Sequence, residues 1–103
     1  MINVIIYLNK EHNPIELVKF LLTEKLISSA TIDNNNLSYS LSDSEFIEEV
    51  YNVITAQSKS LLFNNLVYAI EKKIGQEIPI CSTPIVGSNR IFDDTLRTHT
   101  QLI

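Results

Sequence analysis

Asn13-Pro14-Ile15-Glu16-Leu17-Val18-Lys19-Phe20-Leu21-Leu22-Thr23-Glu24-Lys25-Leu26-Ile27-Ser28-Ser29-Ala30-Thr31-Ile32-Asp33 reads as a helix that passes directly into a strand. Asn13 is placed to accept from a free backbone N–H of the first turn. Pro14 takes the first helical position, where its missing N–H costs nothing. Glu16 follows the cap by three residues and sits at the positive end of the helix dipole. Ile15, Val18, Leu21, Leu22 and Leu26 recur at helical spacing, and Leu17 and Phe20 widen that face. One broad buried stripe is therefore expected.

Upstream, Ile2, Val4, Ile6 and Leu8 alternate with Asn3, Ile5 and Tyr7. The run is apolar on nearly both sides, which predicts a central strand. Asn9 to His12 is a short polar connection, and His12 is a lone loop histidine beside the helix N-terminus. Downstream, Asp33-Asn34-Asn35-Asn36 signals a turn or kink, because Asn tolerates positive φ. Leu37-Ser38-Tyr39-Ser40-Leu41 alternates strictly, Ser42-Asp43-Ser44-Glu45 is a polar turn, and residues 47–56 return as a strand rich in β-formers. Residues 37–56 thus read as a long β-hairpin, and an unpaired hairpin of that length exposes its edges to association.

Ser58 or Ser60 is the expected cap of a second helix, with Leu62, Phe63, Leu66, Val67, Ile70 and Ile74 on its apolar face and Gly75 ending it. Ile78-Pro79-Ile80-Cys81-Ser82 is expected as a short fourth strand, at a sheet edge because of Pro79. Thr83 to Ser88 turns. Asn89 to about Thr100 forms a terminal helix capped by Ser88 or Asn89, with Phe92 and Leu96 facing inward. The order β-α-β-β-α-β specifies an α+β, ferredoxin-like fold: an antiparallel sheet with two helices on one face, plus a short C-terminal helix. Residues 1–103 form one domain.

The composition, 45% hydrophobic and 19% charged over 103 residues, is that of a globular protein. No apolar run reaches the roughly 18–20 residues of a membrane span, so no membrane partner is expected. The first residues lack a basic n-region and read as a strand, and the single cysteine, Cys81, suits a reducing compartment; a cytoplasmic location is expected. A net charge of −4 argues against a nucleic-acid partner. The charge is unevenly spread: between Lys25 and Lys59 there is no Lys or Arg, while Asp33, Asp43, Glu45, Glu48 and Glu49 fall there.

Several uses of such a fold are excluded by residues. The loop after the first strand has neither the arginine of an acylphosphatase nor the Cys-x-x-Cys of a soft-metal carrier. Tyr7 and Tyr51 on an acidic protein do not make an RNA-reading surface. No Ser/His/Asp or Cys/His constellation is visible, so no catalytic residues and no enzyme are expected. Cys81, His12 and His99 are far apart without ligand spacing, and Cys81 in an apolar strand reads as a small buried residue.

Leu22-Thr23-Glu24-Lys25-Leu26-Ile27-Ser28-Ser29-Ala30-Thr31-Ile32 resembles the L-x-x-x-L-A-A-C-V-N-I passage of the CutA divalent-cation tolerance family, within the PII-like trimeric superfamily. Leu37-Ser38-Tyr39-Ser40-Leu41 is similar to its S-x-Y-x-W, and Pro84-Ile85-Val86-Gly87-Ser88-Asn89 to its P-I-x-x-G-N. Tyr7 ends the first strand as in that family. The departures are concentrated at its suspected metal site. The family cysteine falls at Ser29, its tryptophan at Leu41, its Lys-Thr pair at Thr55-Ala56, its His-Pro-Tyr at Ile74-Gly75-Gln76 and its strand-four glutamate near Ile80. Tyr39, Glu77 and Asn89 keep the family type.

The resemblance implies a homotrimer in which the 37–56 hairpin pairs with a neighbour, with ligand clefts between subunits near the 41–48 turn and Ser29. Ser29, Tyr39, Glu77 and Asn89 are the ligand-cleft candidates, and Cys81 is the candidate ligand for a divalent cation such as copper. The implied function is non-enzymatic divalent-cation tolerance with most metal-site residues replaced. The alternative is a PII- or ACT-like module that senses a small molecule or nucleotide and regulates a protein partner.

Overall fold

The computed structural model describes residues 1–102. The elements are β1 (Ile2–Asn9), α1 (Pro14–Thr23), β2 (Ser29–Ser42), β3 (Glu45–Ser58), a 3-10 turn (Ser60–Leu62), α2 (Phe63–Ile74), β4 (Ile80–Pro84) and α3 (Arg90–His99). The strands form one antiparallel sheet in the order β2-β3-β1-β4, so β1 is central and β2 and β4 are edges. This is the expected α+β, ferredoxin-like arrangement.

One sheet face carries the core. Val4, Ile6 and Leu8 of β1 and Ile54 and Ala56 of β3 pack against Leu17 and Leu21 of α1 and Leu66 and Ile70 of α2, all essentially inaccessible to solvent. Non-directional burial of this apolar area is the main stabilising term. The opposite face has no helix over it among the described residues: Asn3, Ile5, Tyr7, Val53, Thr55 and Gln57 lie there half-buried.

The caps follow the sequence in α1 and α3. Asn13 Oδ1 accepts from the N–H of Ile15 at 2.9 Å and of Glu16 at 3.2 Å. Asn89 Oδ1 accepts from Phe92 N–H at 3.0 Å, so Asn89 rather than Ser88 caps α3. Gly75 ends α2 at φ 84°, in the left-handed region. The second helix has no serine cap. Ser58 is fully buried and its Oγ donates to Leu26 C=O at 2.6 Å, while Ser60 opens the 3-10 turn.

Three boundaries differ from expectation. The first helix stops at Thr23, because Lys25 takes φ 56° and closes the helix end: its N–H bonds to Leu22 C=O and that of Leu26 to Leu21 C=O, each at 3.0 Å. Leu26 is buried from outside the helix, and Ile15 and Leu22, expected in the buried stripe, are exposed on its flanks. The Asn34–Asn36 run does not end a strand. It is a bulge in a continuous β2, with Asp33 opposite Val53 and Asn36 opposite Tyr51, and the hairpin therefore spans Ser29 to Ser58. The fourth strand is Ile80–Pro84, two residues later than expected, because Ile78 is spent on the core and Pro79, whose C=O accepts Tyr7 N–H at 3.0 Å, has no N–H to return the ladder bond. It is the edge strand that Pro79 suggested.

Beyond Asn9 the β2–β3 hairpin continues alone as an arm of residues 37–50. It lengthens the molecule to 47 × 28 × 22 Å and raises the radius of gyration to 14.6 Å. A compact chain of this length has a radius of about 13 Å.

Candidate functional site

The pairing register lines up the open face in rows across the strands. Ser29 lies opposite Gln57, Gln57 opposite Asn3, and Asn3 opposite Thr83. Ser29 Oγ donates to Gln57 Oε1 at 2.7 Å, and Gln57 Nε2 donates to Asn3 Oδ1 at 3.0 Å. Asn3 then borders a hollow of about 300 Å³ whose wall includes Ile85, Ser88, Asn89 and Phe92. Two of the four cleft candidates, Ser29 and Asn89, are thus brought to the same end of the sheet. Asn89 has its side-chain oxygen engaged in capping α3.

The other two candidates lie elsewhere. Tyr39 is on the arm, opposite Glu48, and its hydroxyl donates to Glu48 Oε1. That hydrogen bond, with a smaller contribution from desolvation, holds the Tyr39 phenol above its ordinary value. Tyr51 is held up likewise by its 2.8 Å bond to Glu49, then by desolvation and the carboxylate charge. Glu77 is exposed in the connection between α2 and β4, at the end of the sheet where Gln76 Nε2 meets His12 Nε2 at 3.0 Å. Ser29 and Tyr39 are ten residue steps apart along β2, about 33 Å at the rise of an extended strand. One chain therefore does not assemble the cleft expected near the 41–48 turn and Ser29. Joining those two regions requires two copies.

Cys81 is exposed, not buried, because β4 is an edge strand and Cys81 stands opposite Ile5 on the open face. His99 ends α3 with its ring Nδ1 2.8 Å from Thr95 C=O, and His12 lies by α1. Among the described residues no group of three His, Cys, Asp or Glu side chains is gathered to hold a metal.

The partners that sequence reasoning missed are Gln57 and Asn3 on the open face and Glu48 on the arm. The two-residue turn at Asp43-Ser44 sets the Tyr39–Glu48 pairing, so that contact was within reach of a register count. The Ser29–Gln57 pairing was not, because the bulge between Asp33 and Asn36 shifts the count by one.

The arm's two faces differ. Leu37, Tyr39, Leu41, Phe46 and Val50 share with Glu48 the face that continues the helix-bearing side of the sheet, and Phe46 is 83% exposed. Ser38, Ser40 and Ser42 share the other. Without the bulge, Leu37 would stand opposite Glu49, and Leu37, Tyr39 and Leu41 would move to the opposite face from Phe46 and Val50.

No protein-family model matches the chain, and no curated protein matches it in sequence. Solved structures do. The divalent cation tolerance protein CutA1 of Thermus thermophilus is 23% identical, with 98% of this chain and 100% of that one covered and a TM-score of 0.87. CutA1 from Oryza sativa is 19% identical over 97% of this chain and 93% of that one, with a TM-score of 0.87. The periplasmic divalent cation tolerance protein CutA of Archaeoglobus fulgidus is 19% identical over 98% and 100%, with a TM-score of 0.81. Across nearly its whole length the chain has the fold of the CutA1 divalent cation tolerance proteins.

Proposed function

We propose that this chain is a CutA-like, non-enzymatic member of that family which works as a homotrimer and is linked to divalent-cation tolerance. The observation that carries the reading is the arm. Residues 37–50 extend past the sheet with an apolar face that one copy leaves in water, on a fold that matches whole CutA1 chains end to end. An edge strand of this length and character is an association surface unless it is covered. A neighbour's free edge covers it, and in doing so brings an arm with Tyr39 toward another copy's Ser29 and Asn89.

The metal side of the reading follows from the same geometry. Among the described residues no ligand set is gathered within one chain, so we assign cation binding to residues of more than one copy, with Cys81, His12, His99 and the arm carboxylates as the available donors. The lone thiol, exposed at the sheet edge, supports a reducing, cytoplasmic location.

The test pairs light scattering with a thermal-shift screen of chelator-treated protein against copper, zinc, other divalent cations, nucleotides and amino acids. A particle of three chains whose melting temperature rises with one cation is the expected result. Binding at about a hundred times the dissociation constant adds about 2.7 kcal/mol. A monomer would overturn the assembly. A rise with a nucleotide or an amino acid alone would replace cation tolerance with small-molecule sensing.

A further inference from the structure

The helix layer carries a hollow of about 510 Å³ in the groove between α1 and α2. It is lined by Phe20 of α1, Glu24 just past the end of that helix, and Tyr68, Ala69, Lys72 and Lys73 of α2. We propose that this hollow binds a small organic anion, a carboxylate carried on a flat apolar ring. The helices lie across the sheet from its open face, so the inference goes beyond the trimer reading and does not rest on it.

The shape of the hollow follows from helical spacing. Phe20 and Glu24, Tyr68 and Lys72, and Ala69 and Lys73 are each four residues apart and so neighbour one another on their helices. Phe20 and Ala69 pack against the core and form the base, where the small side chain of Ala69 leaves room. Tyr68, 67% exposed, forms a wall. The volume falls within the range of about 300–1,000 Å³ typical of small-molecule sites.

The charges select the sign of the ligand. Lys73 Nζ stands 5.2 Å from the ring centroid of Phe20, and Lys72 Nζ 6.0 Å from that of Tyr68. The electron-rich ring faces are thus already held by the chain's own cations, which a cationic ligand would have to displace. An anion would not. Among the described residues neither ammonium donates a hydrogen bond or forms an ion pair, so their protons are available to a carboxylate. The negative end of the α2 dipole favours both lysines, but it does not place them over rings at the edge of a hollow. With two ammoniums and one carboxylate, the lining residues sum to one positive charge on a chain of net charge −4. A bare inorganic anion would leave the base and wall in water, whereas a ring attached to the carboxylate covers them. Exposed ion pairs contribute little each, so the ring supplies most of the affinity and the lysines the selectivity.

The experiment is calorimetric titration of the full chain with indole-3-acetate, using indole-3-acetamide as the neutral match and acetate as the ringless one. Indole-3-acetate should bind saturably, about tenfold or more tighter than either control. A Lys72→Gln/Lys73→Gln double variant should lose about tenfold in affinity, and raised salt should weaken binding to wild type. Glu24→Gln should tighten binding, because it removes the one negative charge among the lining residues. Ala69→Leu should abolish it by filling the hollow. Both lysines are exposed, so the double variant keeps its fold and gives a readout even where Ala69→Leu does not fold. No saturable binding of indole-3-acetate in the millimolar range, equal binding of the amide, or full affinity in the double lysine variant or in a folded Ala69→Leu would overturn the proposal. Weaker binding to Glu24→Gln would also overturn it, since the ligand would then have to carry an ammonium. None of these outcomes bears on particle mass or on the response to cations, so this site and the trimer reading fail separately.

Discussion

The two tyrosine–glutamate pairs of the hairpin show how a surface carboxylate is read out at the scale of one residue. Both phenols are held above the ordinary value of 10, first by the hydrogen bond each donates to its glutamate. A raised phenol means that the neutral form is favoured in the folded chain. The stabilisation is thus complete below the unfolded value and is lost as pH rises through the raised folded one. Replacing Glu48→Gln should bring Tyr39 back toward 10 and leave Tyr51 unchanged, as followed by ultraviolet phenolate absorbance. Tyr39 and Tyr51 point to opposite faces of the hairpin, so each titration reports one face separately. A Tyr39 midpoint unmoved by the substitution would mean that the pair does not form in solution.

Element boundaries were the least legible part of the sequence, and each miss has a physical cause. Asn13-Pro14 announced the start of α1 because a cap and an N-terminal proline are local chemistry. Its end was hidden because Lys25, an ordinary helix residue, occupies a left-handed position where glycine is usual. Lys25→Gly should therefore stabilise the chain by about 1 kcal/mol, seen as a higher urea midpoint with unchanged slope. A lower midpoint would show that the lysine stem contributes more than its backbone costs. The asparagine run signals a turn or kink, and the structure makes it a kink: Asn35 takes φ 60° at a bulge inside a strand whose partner carries straight on. The layering of sheet and helices was legible because it follows from apolar spacing. The grouping of Ser29 with Gln57 and Asn3 was not, because it depends on a register that the bulge alters.

At the scale of the whole molecule, charge and shape separate together. The five acidic residues between Lys25 and Lys59 lie on or beside the arm, and every one of the eight basic residues lies outside that stretch. The arm's apolar side chains touch no core, so Leu41→Ser/Phe46→Ser should leave the folded monomer intact. It should weaken assembly by about 3 kcal/mol, roughly a hundredfold in dissociation constant by light scattering. An unchanged particle mass at all concentrations would remove the arm from the interface. The same segregation dictates which proteases can see the arm. Trypsin, which needs Lys or Arg, has no site from Leu26 to Ser58 and digests only the body, whereas a glutamate-specific protease finds Glu45, Glu48 and Glu49 together beside the turn. Cleavage by the second enzyme, scored against the first, measures how many arms are uncovered at any moment.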